Sequence, residues 1–230
     1  MCGIAGFIGS GTEENLRAMI HSIAYRGPDF QGTFLENGVG LAQARLSIID
    51  LSAAAHQPFF SSDRKIGLVF NGEIYNFESL KETLPRTGKY QFRTTSDTEV
   101  LVYLYQEYGP AMLPMLNGMF AFALWDFEQR QLFVARDRMG KKPLFYSLVG
   151  ENILFGSELK AIEQHPLCKS EINLHAVNEY LTFEYVPTPH TIINGIQEVK
   201  GKDIVHLDLR DVPHAVSDHF IICHGDSATP

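Results

Sequence analysis

Short apolar segments that end in turn-forming residues recur along most of this chain, and few stretches between them have helical spacing. Six segments are strand-like, at residues 39–46, 66–70, 119–125, 131–135, 144–148 and 153–155. The last four are spaced like the strands of a meander. Strands that meet in hairpins, with helices inserted between groups of strands, favour stacked antiparallel sheets flanked by helices over a doubly wound parallel sheet.

Two segments have the apolar spacing of amphipathic helices. Residues 13–22 follow Thr12, which is a suitable N-cap. A second helix is predicted to start near Asp97, because Ser96 and Glu99 have the spacing of a capping box in front of an apolar run.

One dipeptide between these helices predicts a turn. Asn71-Gly72 follows the strand-like segment 66–70, and Asn-Gly is the pair preferred in two-residue hairpin turns.

Composition narrows the class of partner. The 230 residues are 45% hydrophobic and carry a formal net charge of −8, which argues against a nucleic-acid or anionic membrane partner. No apolar run is long enough to span a membrane and no signal peptide is recognisable, so we expect a cytoplasmic protein. The three cysteines and nine histidines show no disulfide or metal-ligand spacing, and no Gly-rich phosphate loop occurs.

Cys2 is the residue with the clearest chemical potential. If Met1 is removed, the thiol and a free α-amine lie on the same first residue, which places a nucleophile and a base together. The alternative is a small buried residue in an edge strand, because apolar residues follow at positions 4–8.

Six ordered motifs together resemble the glutamine-hydrolysing asparagine synthetases. They are residues 1–7, Tyr25-Arg26-Gly27-Pro28-Asp29, residues 45–50, residues 71–76, Ser96-Asp97-Thr98-Glu99, and residues 135–137 with 142–144. The resemblance covers residues 1–194, which in that family form the N-terminal class II glutamine amidotransferase domain. It implies an α+β fold of the N-terminal nucleophile hydrolase type, a four-layer αββα sandwich of two antiparallel sheets.

The resemblance also implies a catalytic role for three residues. Cys2 resembles the nucleophile that attacks the side-chain amide of L-glutamine, forms a thioester and releases ammonia, with its own amine as general base. Asn71 and Gly72 match the oxyanion hole of the family, the first through its side-chain amide and the second through its backbone N–H. A simple hairpin turn is the competing interpretation of Asn71-Gly72.

Recognition of free glutamine is implied for a second group of residues. Arg45 matches the partner of the substrate carboxylate, since a guanidinium can bind a carboxylate with two hydrogen bonds. Glu73 and Asp97 resemble the acidic groups around the substrate ammonium. Backbone groups that line the same pocket belong to Leu46, Ser47, Ile48 and Ile49.

No cofactor is expected for this glutaminase function. In the family, ATP and Mg²⁺ belong to a synthetase domain whose Ser-Gly-Gly-Xaa-Asp-Ser loop occurs nowhere in these residues. A synthetase domain or subunit that accepts the ammonia is the partner that the resemblance implies. Lys141-Lys142 could attract phosphate, but a charged turn in solvent is the expectation.

Residues 195–230 form a tail that departs from the family pattern. Residues 201–210 and 218–227 resemble the start of a ribosomal silencing factor, so we interpret the tail as a truncated fusion. A terminal hairpin with strands at 204–209 and 220–223 is the alternative.

For the whole chain, the alternatives to a working glutaminase are an inactive fragment, a partner-binding module, or the glutaminase domain of another class II amidotransferase.

Overall fold

Two β-sheets lie face to face between layers of helices. The structure is a computed structural model that describes residues 1–85, 90–200, 205–208, 216 and 219–224. In chain order its strands are β1 (Gly3–Ile8), β2 (Phe30–Glu36), β3 (Val39–Arg45), β4 (Phe59–Phe60), β5 (Ile66–Ile74), β6 (Gly118–Asp126), β7 (Gln131–Arg136), β8 (Phe145–Val149), β9 (Asn152–Gly156), β10 (Ile196–Glu198), β11 (Val205–Asp208) and β12 (His219–His224). Its α-helices are α1 (Glu13–Ser22), α2 (Phe77–Thr83), α3 (Asp97–Tyr108), α4 (Leu159–Glu163) and α5 (Leu174–Phe183).

The strand order divides the chain between the two sheets. The first sheet runs β10-β8-β9-β1-β3-β2, and the second runs β11-β12-β7-β6-β5-β4. Neighbouring strands are antiparallel except for β12, which lies parallel to β7. Because β1 lies between β9 and β3, the sequence-based alternative that Cys2 precedes an edge strand is wrong.

Three apolar clusters define the layers. Leu16, Met19 and Ile20 of α1 pack with Ala161 and Ile162 of α4 on the outer face of the first sheet. The helix α3 covers the outer face of the second sheet. A third cluster fills the space between the sheets. This arrangement confirms the expected four-layer αββα sandwich.

The inner faces of the strands follow the two-residue period of an extended chain. Ile4 of β1, Leu41 of β3 and Val69 of β5 all belong to the cluster between the sheets. Every second residue from these positions therefore faces the same space, which becomes important at the carboxyl ends of β3 and β5.

The predicted hairpin turn at Asn71-Gly72 is wrong, because β5 runs without a break from Ile66 to Ile74. Asn71 pairs with Ala121 and Gly72 with Phe120 of β6. Neither residue has the positive φ that a type I′ turn requires, whereas Asn37-Gly38 does, with φ of 49° and 77°, and joins β2 to β3.

Gly72 serves a different purpose from a turn. A Cβ at this position would lie 2.3 Å from the carbonyl oxygen of Met119 and 2.7 Å from Cα of Phe120. The glycine therefore permits close approach of β6 to β5.

The predicted meander is also interrupted. β6 pairs with β7 and β8 pairs with β9, but β7 and β8 lie in different sheets. The connection crosses at residues 137–144, so this segment runs from one sheet to the other. A pattern of strand lengths carries no information about which sheet each strand joins.

Both predicted helices are present. α1 begins after Thr12, whose side chain accepts a hydrogen bond from Asn15 N. α3 begins after Ser96, whose hydroxyl accepts from Thr98 N. The expected capping box is incomplete, because the Glu99 carboxylate accepts hydrogen bonds from Arg93 N and Thr94 N instead of reaching back to Ser96 N.

The tail is described only in part. β10 pairs with β8, and β11 and β12 form an antiparallel pair, as the hairpin alternative expects. Much of the segment that resembles a ribosomal silencing factor lies outside the described residues, so the division at residue 194 stays a prediction. Among the described helices, none has the length and apolar character needed to cross a bilayer.

The close approach at Gly72 generates a stability prediction. We expect Gly72→Ala to lower the free energy of unfolding by about 3 kcal/mol, because the added methyl group meets backbone atoms that cannot rotate away. Gly156→Ala in β9 is the matched control, since its nearest neighbour is a side-chain methyl at 3.2 Å, and we expect a change below about 1 kcal/mol. Urea denaturation measures both, and equal effects would contradict the explanation.

Candidate active site

A polar cavity of about 260 Å³ opens where the inner faces of the two sheets end. Its walls come from the residue before β1, the end of β3 and the loop after it, the second half of β5, the first turn of α3 and the crossing segment 137–144. Its lining residues are Met1, Cys2, Gln43, Arg45, Leu46, Ile48, Ile49, Asp50, Ala55, Gln57, Phe70, Asn71, Gly72, Glu73, Ser96, Asp97, Thr98, Met119 and Lys142.

Strand alternation explains why polar side chains converge here. Two and four residues beyond Leu41, β3 places Gln43 and Arg45 on the inner face, and two and four residues beyond Val69, β5 places Asn71 and Glu73 there. Cys2 precedes Ile4 by the same interval on β1. The space between the sheets is therefore apolar in the middle and polar at this end.

The Cys2 sulfur lies against the backbone of Leu46. The Leu46 N–H donates to Cys2 Sγ at 3.3 Å, and the thiol lies 3.5 Å from the Leu46 carbonyl oxygen. The Cys2 carbonyl oxygen accepts a hydrogen bond of 3.0 Å from Arg26 Nε. Both the side chain and the backbone of Cys2 are thus held by groups far away in sequence.

The segment Tyr25–Asp29 supports this arrangement. Arg26 Nη1 pairs with a Glu158 carboxylate oxygen at 2.7 Å, and the Tyr25 hydroxyl donates to the same oxygen. Burial of Glu158 would raise its pKa, but the hydrogen bonds from Tyr25, Arg26 and Lys160 outweigh burial and lower the pKa. Glu158 is therefore a charged anchor for Arg26.

Asp29 fixes the loop after β3. Its Oδ2 accepts a hydrogen bond of 2.7 Å from Ser47 N, and its own N–H donates to Arg45 O. Gly27 allows this approach, because a Cβ there would lie 2.2 Å from the Ala44 carbonyl oxygen. The backbone is therefore held by Asp29 at Arg45 and at Ser47, the residues on either side of Leu46, and this fixes the Leu46 N–H beside the sulfur.

Asn71 has a buried donor without a partner. Its Nδ2 is shielded from solvent and donates no hydrogen bond within the part of the chain that the structure describes, and Asn71 as a whole is only 1% exposed. A buried polar atom without a partner costs free energy, so its presence beside a polar cavity requires a reason. A negatively charged oxygen bound in the cavity would satisfy it.

Arg45 is buried, and its guanidinium holds the following loop. Nη1 donates to the Ser52 carbonyl oxygen at 3.1 Å and Nη2 donates to the Asp50 carbonyl oxygen. The Asp50 carboxylate in turn accepts hydrogen bonds from Ser52 N and from the N–H and hydroxyl of Thr95. Hydrogen bonds from Ser52 have the largest effect and those from Thr95 add to it, and together they lower the pKa of Asp50 from 3.8 to about 2.

Asp97 brings a carboxylate to the cavity at the start of α3. Its Oδ2 accepts a hydrogen bond of 2.9 Å from Ile74 N, at the end of β5. Burial raises the pKa of Asp97 above its ordinary value, and the negative charge of Glu73 adds to this rise, while hydrogen bonds from Ile74, Thr98 and Ser96 oppose it. The cavity therefore contains two carboxylates close enough to repel each other.

Lys142 also lines the cavity, which corrects the expectation of a solvated turn at Lys141-Lys142. Lys141 is exposed, but Lys142 is only 6% exposed. Burial lowers the pKa of the Lys142 ammonium and Arg26 acts in the same direction, while negative charge on Cys2, Asp137 and Glu73 opposes both.

The turn before Lys142 is rigidly bonded. Asp137 accepts hydrogen bonds of 2.9 Å from Lys141 N and from Lys142 N. Arg136 donates to the carbonyl oxygens of Lys142 at 2.7 Å and Gly140 at 2.9 Å. These contacts turn the Lys142 side chain away from solvent and toward the cavity that contains Cys2.

The cavity brings together most of the residues that the sequence singled out. Cys2, Arg45, Leu46, Ile48, Ile49, Asn71, Gly72, Glu73 and Asp97 all line it. Ser47 is not among the lining residues, and its N–H is bonded to Asp29.

Sequence reasoning missed Gln43, Gln57 and Lys142. Gln43 Nε2 donates to Phe70 O and Phe70 N donates to Gln57 Oε1, so the two amides hold β5 from both sides. A glutamine at an inward position of an otherwise apolar strand was the available signal for Gln43. For Lys142, the signal was its place within one of the motifs that carried the resemblance.

Comparison with known proteins decides the family. Residues 1–215 match the sequence model of the glutamine amidotransferase domain family. The chain belongs to the glutamine amidotransferase family. The domain is similar to the corresponding part of asparagine synthetases, the family that the six motifs resemble.

Two relatives from Bacillus subtilis (strain 168) illustrate the similarity. The amidotransferase domain is 41% identical over 180 residues to asparagine synthetase [glutamine-hydrolyzing] 2, an alignment that covers 75% of this chain and 24% of the relative. It is 37% identical over 209 residues to asparagine synthetase [glutamine-hydrolyzing] 1, covering 87% and 32%. The chain thus spans about a quarter to a third of the length of these curated relatives.

A solved structure shares the fold. The glutamine phosphoribosylpyrophosphate (PRPP) amidotransferase of B. subtilis, solved with ADP and GMP, superimposes with a TM-score of 0.58 at 24% identity over 70% of this chain and 43% of that one. At this identity the likeness concerns the fold alone, and it supports the N-terminal nucleophile hydrolase architecture of the amidotransferase domain.

The two carboxylates of the site predict opposite effects on stability. Because the pKa of Asp97 is raised in the folded state, its contribution to stability decreases as pH rises from 3.8 through the folded-state pKa. Asp97→Asn should therefore increase the free energy of unfolding near neutral pH, and much less below pH 3.8. The lowered pKa of Asp50 means that its contribution is present above 3.8 and is lost as pH falls toward 2, so Asp50→Asn should destabilise near neutral pH.

Denaturation in urea at neutral and acidic pH measures both variants. A loss of stability in Asp97→Asn near neutral pH would contradict the account, because it would show that the buried charge is a net stabiliser.

Proposed function

We propose that the domain hydrolyses L-glutamine to glutamate and ammonia, with Cys2 as the nucleophile after removal of Met1. The observation that carries the proposal is the unpartnered Asn71 Nδ2 beside the same cavity as the Cys2 thiol. A nucleophile and an unsatisfied donor in one polar cavity are the two elements that attack on an amide requires.

Removal of Met1 provides the base. Met1 itself lines the cavity and is 57% exposed, so it is open to an aminopeptidase. The α-amine of Cys2 freed in this way lies within the cavity and can take the thiol proton and pass it to the leaving amide nitrogen. The carbon–nitrogen bond of the amide then breaks, ammonia leaves, and water hydrolyses the glutamyl thioester.

The oxyanion is stabilised by donors that are in place before the substrate arrives. Asn71 Nδ2 and the N–H of Gly72 are the proposed pair, as the sequence suggested. Their strand is fixed by pairing to β6 and by the bonds of Gln43 and Gln57 to Phe70. Fixed donors need no reorganisation during the reaction, which is why each is typically worth a few kcal/mol of barrier.

Charges of both signs line the cavity, which suits a free amino acid. The Arg45 guanidinium is proposed to bind the substrate carboxylate, and Asp97 with Glu73 the ammonium. Leu46, Ile48 and Ile49 complete the pocket, and Ser47 contributes through its bond to Asp29. The repulsion between Asp97 and Glu73 is relieved when a cation binds between them, so glutamine binding should favour ionised Asp97.

Lys142 is the further residue that we add to this scheme. Its ammonium is buried near Cys2, and a cation beside a thiol stabilises the thiolate that attacks. The same charge partly balances Glu73, which keeps the net charge of the cavity low before substrate binds.

The chemistry needs no metal or cofactor in this domain, and ATP with Mg²⁺ would serve a synthetase part. We propose that the ammonia is passed to a synthetase domain or subunit, in keeping with the names of the curated relatives. Another class II acceptor enzyme is the second possibility, because the solved structure of similar fold is a PRPP amidotransferase. A cytoplasmic location and the lack of nucleic-acid or membrane partners stay predictions from composition.

Cys2→Ala tests the nucleophile directly. We expect the rate of glutamine-dependent ammonia release to fall at least about 1000-fold in this variant, because Cys2 is the only thiol among the described residues that line the cavity. Cys168→Ala is the matched control: burial and the charge of Glu163 raise the pKa of that thiol, and Cys168 does not line the cavity. The N-terminal mass of the same preparations must show a chain that starts at Cys2.

Two results would contradict this assignment. Full ammonia release by Cys2→Ala would remove Cys2 from the mechanism. A chain that retains Met1 and releases no ammonia would favour an inactive or partner-binding module.

Lys142→Met should slow alkylation of Cys2 by iodoacetamide about tenfold near neutral pH, which corresponds to a loss of about 1.4 kcal/mol of electrostatic stabilisation. Lys141→Met makes the same change of charge on the neighbouring exposed residue and should leave the rate unchanged. Equal rates in the two variants would show that Lys142 does not act on the sulfur.

A further inference from the structure

A cluster of two histidines and a glutamate lies outside the active site. His175 and Glu179 are one turn apart on α5, and His190 lies on the loop that follows this helix. Glu179 Oε2 is 2.9 Å from His190 Nδ1, and Glu179 Oε1 is 3.2 Å from His175 Nε2. One potential ligand atom from each residue lies within 4.8 Å of the others.

The backbone around this cluster is held by several hydrogen bonds. Asn173, the N-cap of α5, donates from Nδ2 to Thr191 O and from its N–H to Ile192 O. On the other side of His190, Pro189 O accepts from Glu198 N. The loop is thus attached to α5 immediately after His190 and to β10 immediately before it, which fixes His190 opposite the helix.

The ligand types fit a late first-row divalent cation. Two imidazole nitrogens and one carboxylate oxygen are a common donor set for Zn²⁺, in which bonds of about 2.0–2.1 Å place the ligand atoms about 3.3 Å apart. The two separations to Glu179 are already near this value. The largest gap can be closed by a small rotation of the His175 side chain, which is 64% exposed.

We propose that His175, Glu179 and His190 bind one Zn²⁺ ion and that the ion ties α5 to the loop at residues 187–192. The fourth position faces solvent, and water completes the coordination. The ion would replace the present contacts between the Glu179 carboxylate and the two imidazoles. Each imidazole must be neutral to act as a ligand. None of the three residues lines the active-site cavity, so the ion would take no part in the proposed glutamine hydrolysis.

The proximity of His175 and His190 shows that the sequence-based expectation of no ligand-like histidine cluster is wrong. His175 and Glu179 have helical spacing, but His190 approaches them only because the chain turns back after α5. The spacing does not match a sequence pattern typical of zinc sites.

Calorimetric titration of the full chain with ZnCl₂ is the test, performed in a Cys2→Ala background to remove that thiol as a competing ligand. We expect one equivalent of Zn²⁺ to bind, and we expect His175→Gln and His190→Gln each to weaken binding at least about 100-fold. His21→Gln, an exposed histidine near the end of α1, is the matched control and should bind Zn²⁺ like the parent. Co²⁺ at the same site should give a visible spectrum without thiolate charge-transfer bands.

Thermal unfolding separates a metal site from a set of ion pairs. Zn²⁺ should raise the Tm of the parent chain and not that of the two histidine variants. Equal Zn²⁺ affinity in parent and variants would overturn the proposal. A second result would also overturn the proposal: the histidine variants change the Tm in the absence of metal, and the Tm of the parent does not respond to Zn²⁺. The cluster would then consist of ion pairs alone.

Discussion

The two-residue alternation of strands β1, β3 and β5 is the constraint on which the rest of this structure depends. Each strand presents an apolar residue between the sheets and then, at the next inward positions, a polar one. Because all three strands change character at the same end of the sandwich, their polar side chains meet in one cavity. A shift of one residue in any register would move its polar residues to an outer face.

A second set of residues holds this site in shape without entering the proposed chemistry. Arg26 bonds the Cys2 backbone, Asp29 bonds the loop after β3, and Arg136 with Asp137 fixes the turn that presents Lys142. These bonds explain why the family motifs extend well beyond the cavity. They restrain the backbone segments that present Cys2, Leu46 and Lys142 to the cavity.

The buried charges carry a cost in stability. The raised pKa of Asp97 and the lowered pKa of Lys142 both arise first from burial, which shows that each charged form is held against its preference for water. The unpartnered Nδ2 of Asn71 is a third unfavourable feature. The substrate binding proposed above would supply partners for two of them, an ammonium for Asp97 and an oxyanion for Asn71 Nδ2.

Local patterns in the sequence predicted the helices α1 and α3 and most strands, since Thr12, Ser96 and the apolar spacing act over a few residues. The failures arose where distant contacts decide. Asn37-Gly38 and Asn71-Gly72 are the same dipeptide, yet only the first forms a turn, because β6 pairs along the whole of β5. The family motifs located nine of the predicted site residues, but no spacing rule could show that Lys142 turns inward while Lys141 does not.

The central claim is that Cys2, with its own free amine, attacks glutamine in this cavity. Its most direct test is covalent labelling with an electrophilic glutamine analogue that carries a diazoketone, followed by peptide mass spectrometry. The account predicts a single adduct on a peptide that begins at Cys2, and protection of that peptide by excess glutamine. An adduct on Cys168 or on a peptide that retains Met1, or no adduct at all, would contradict it.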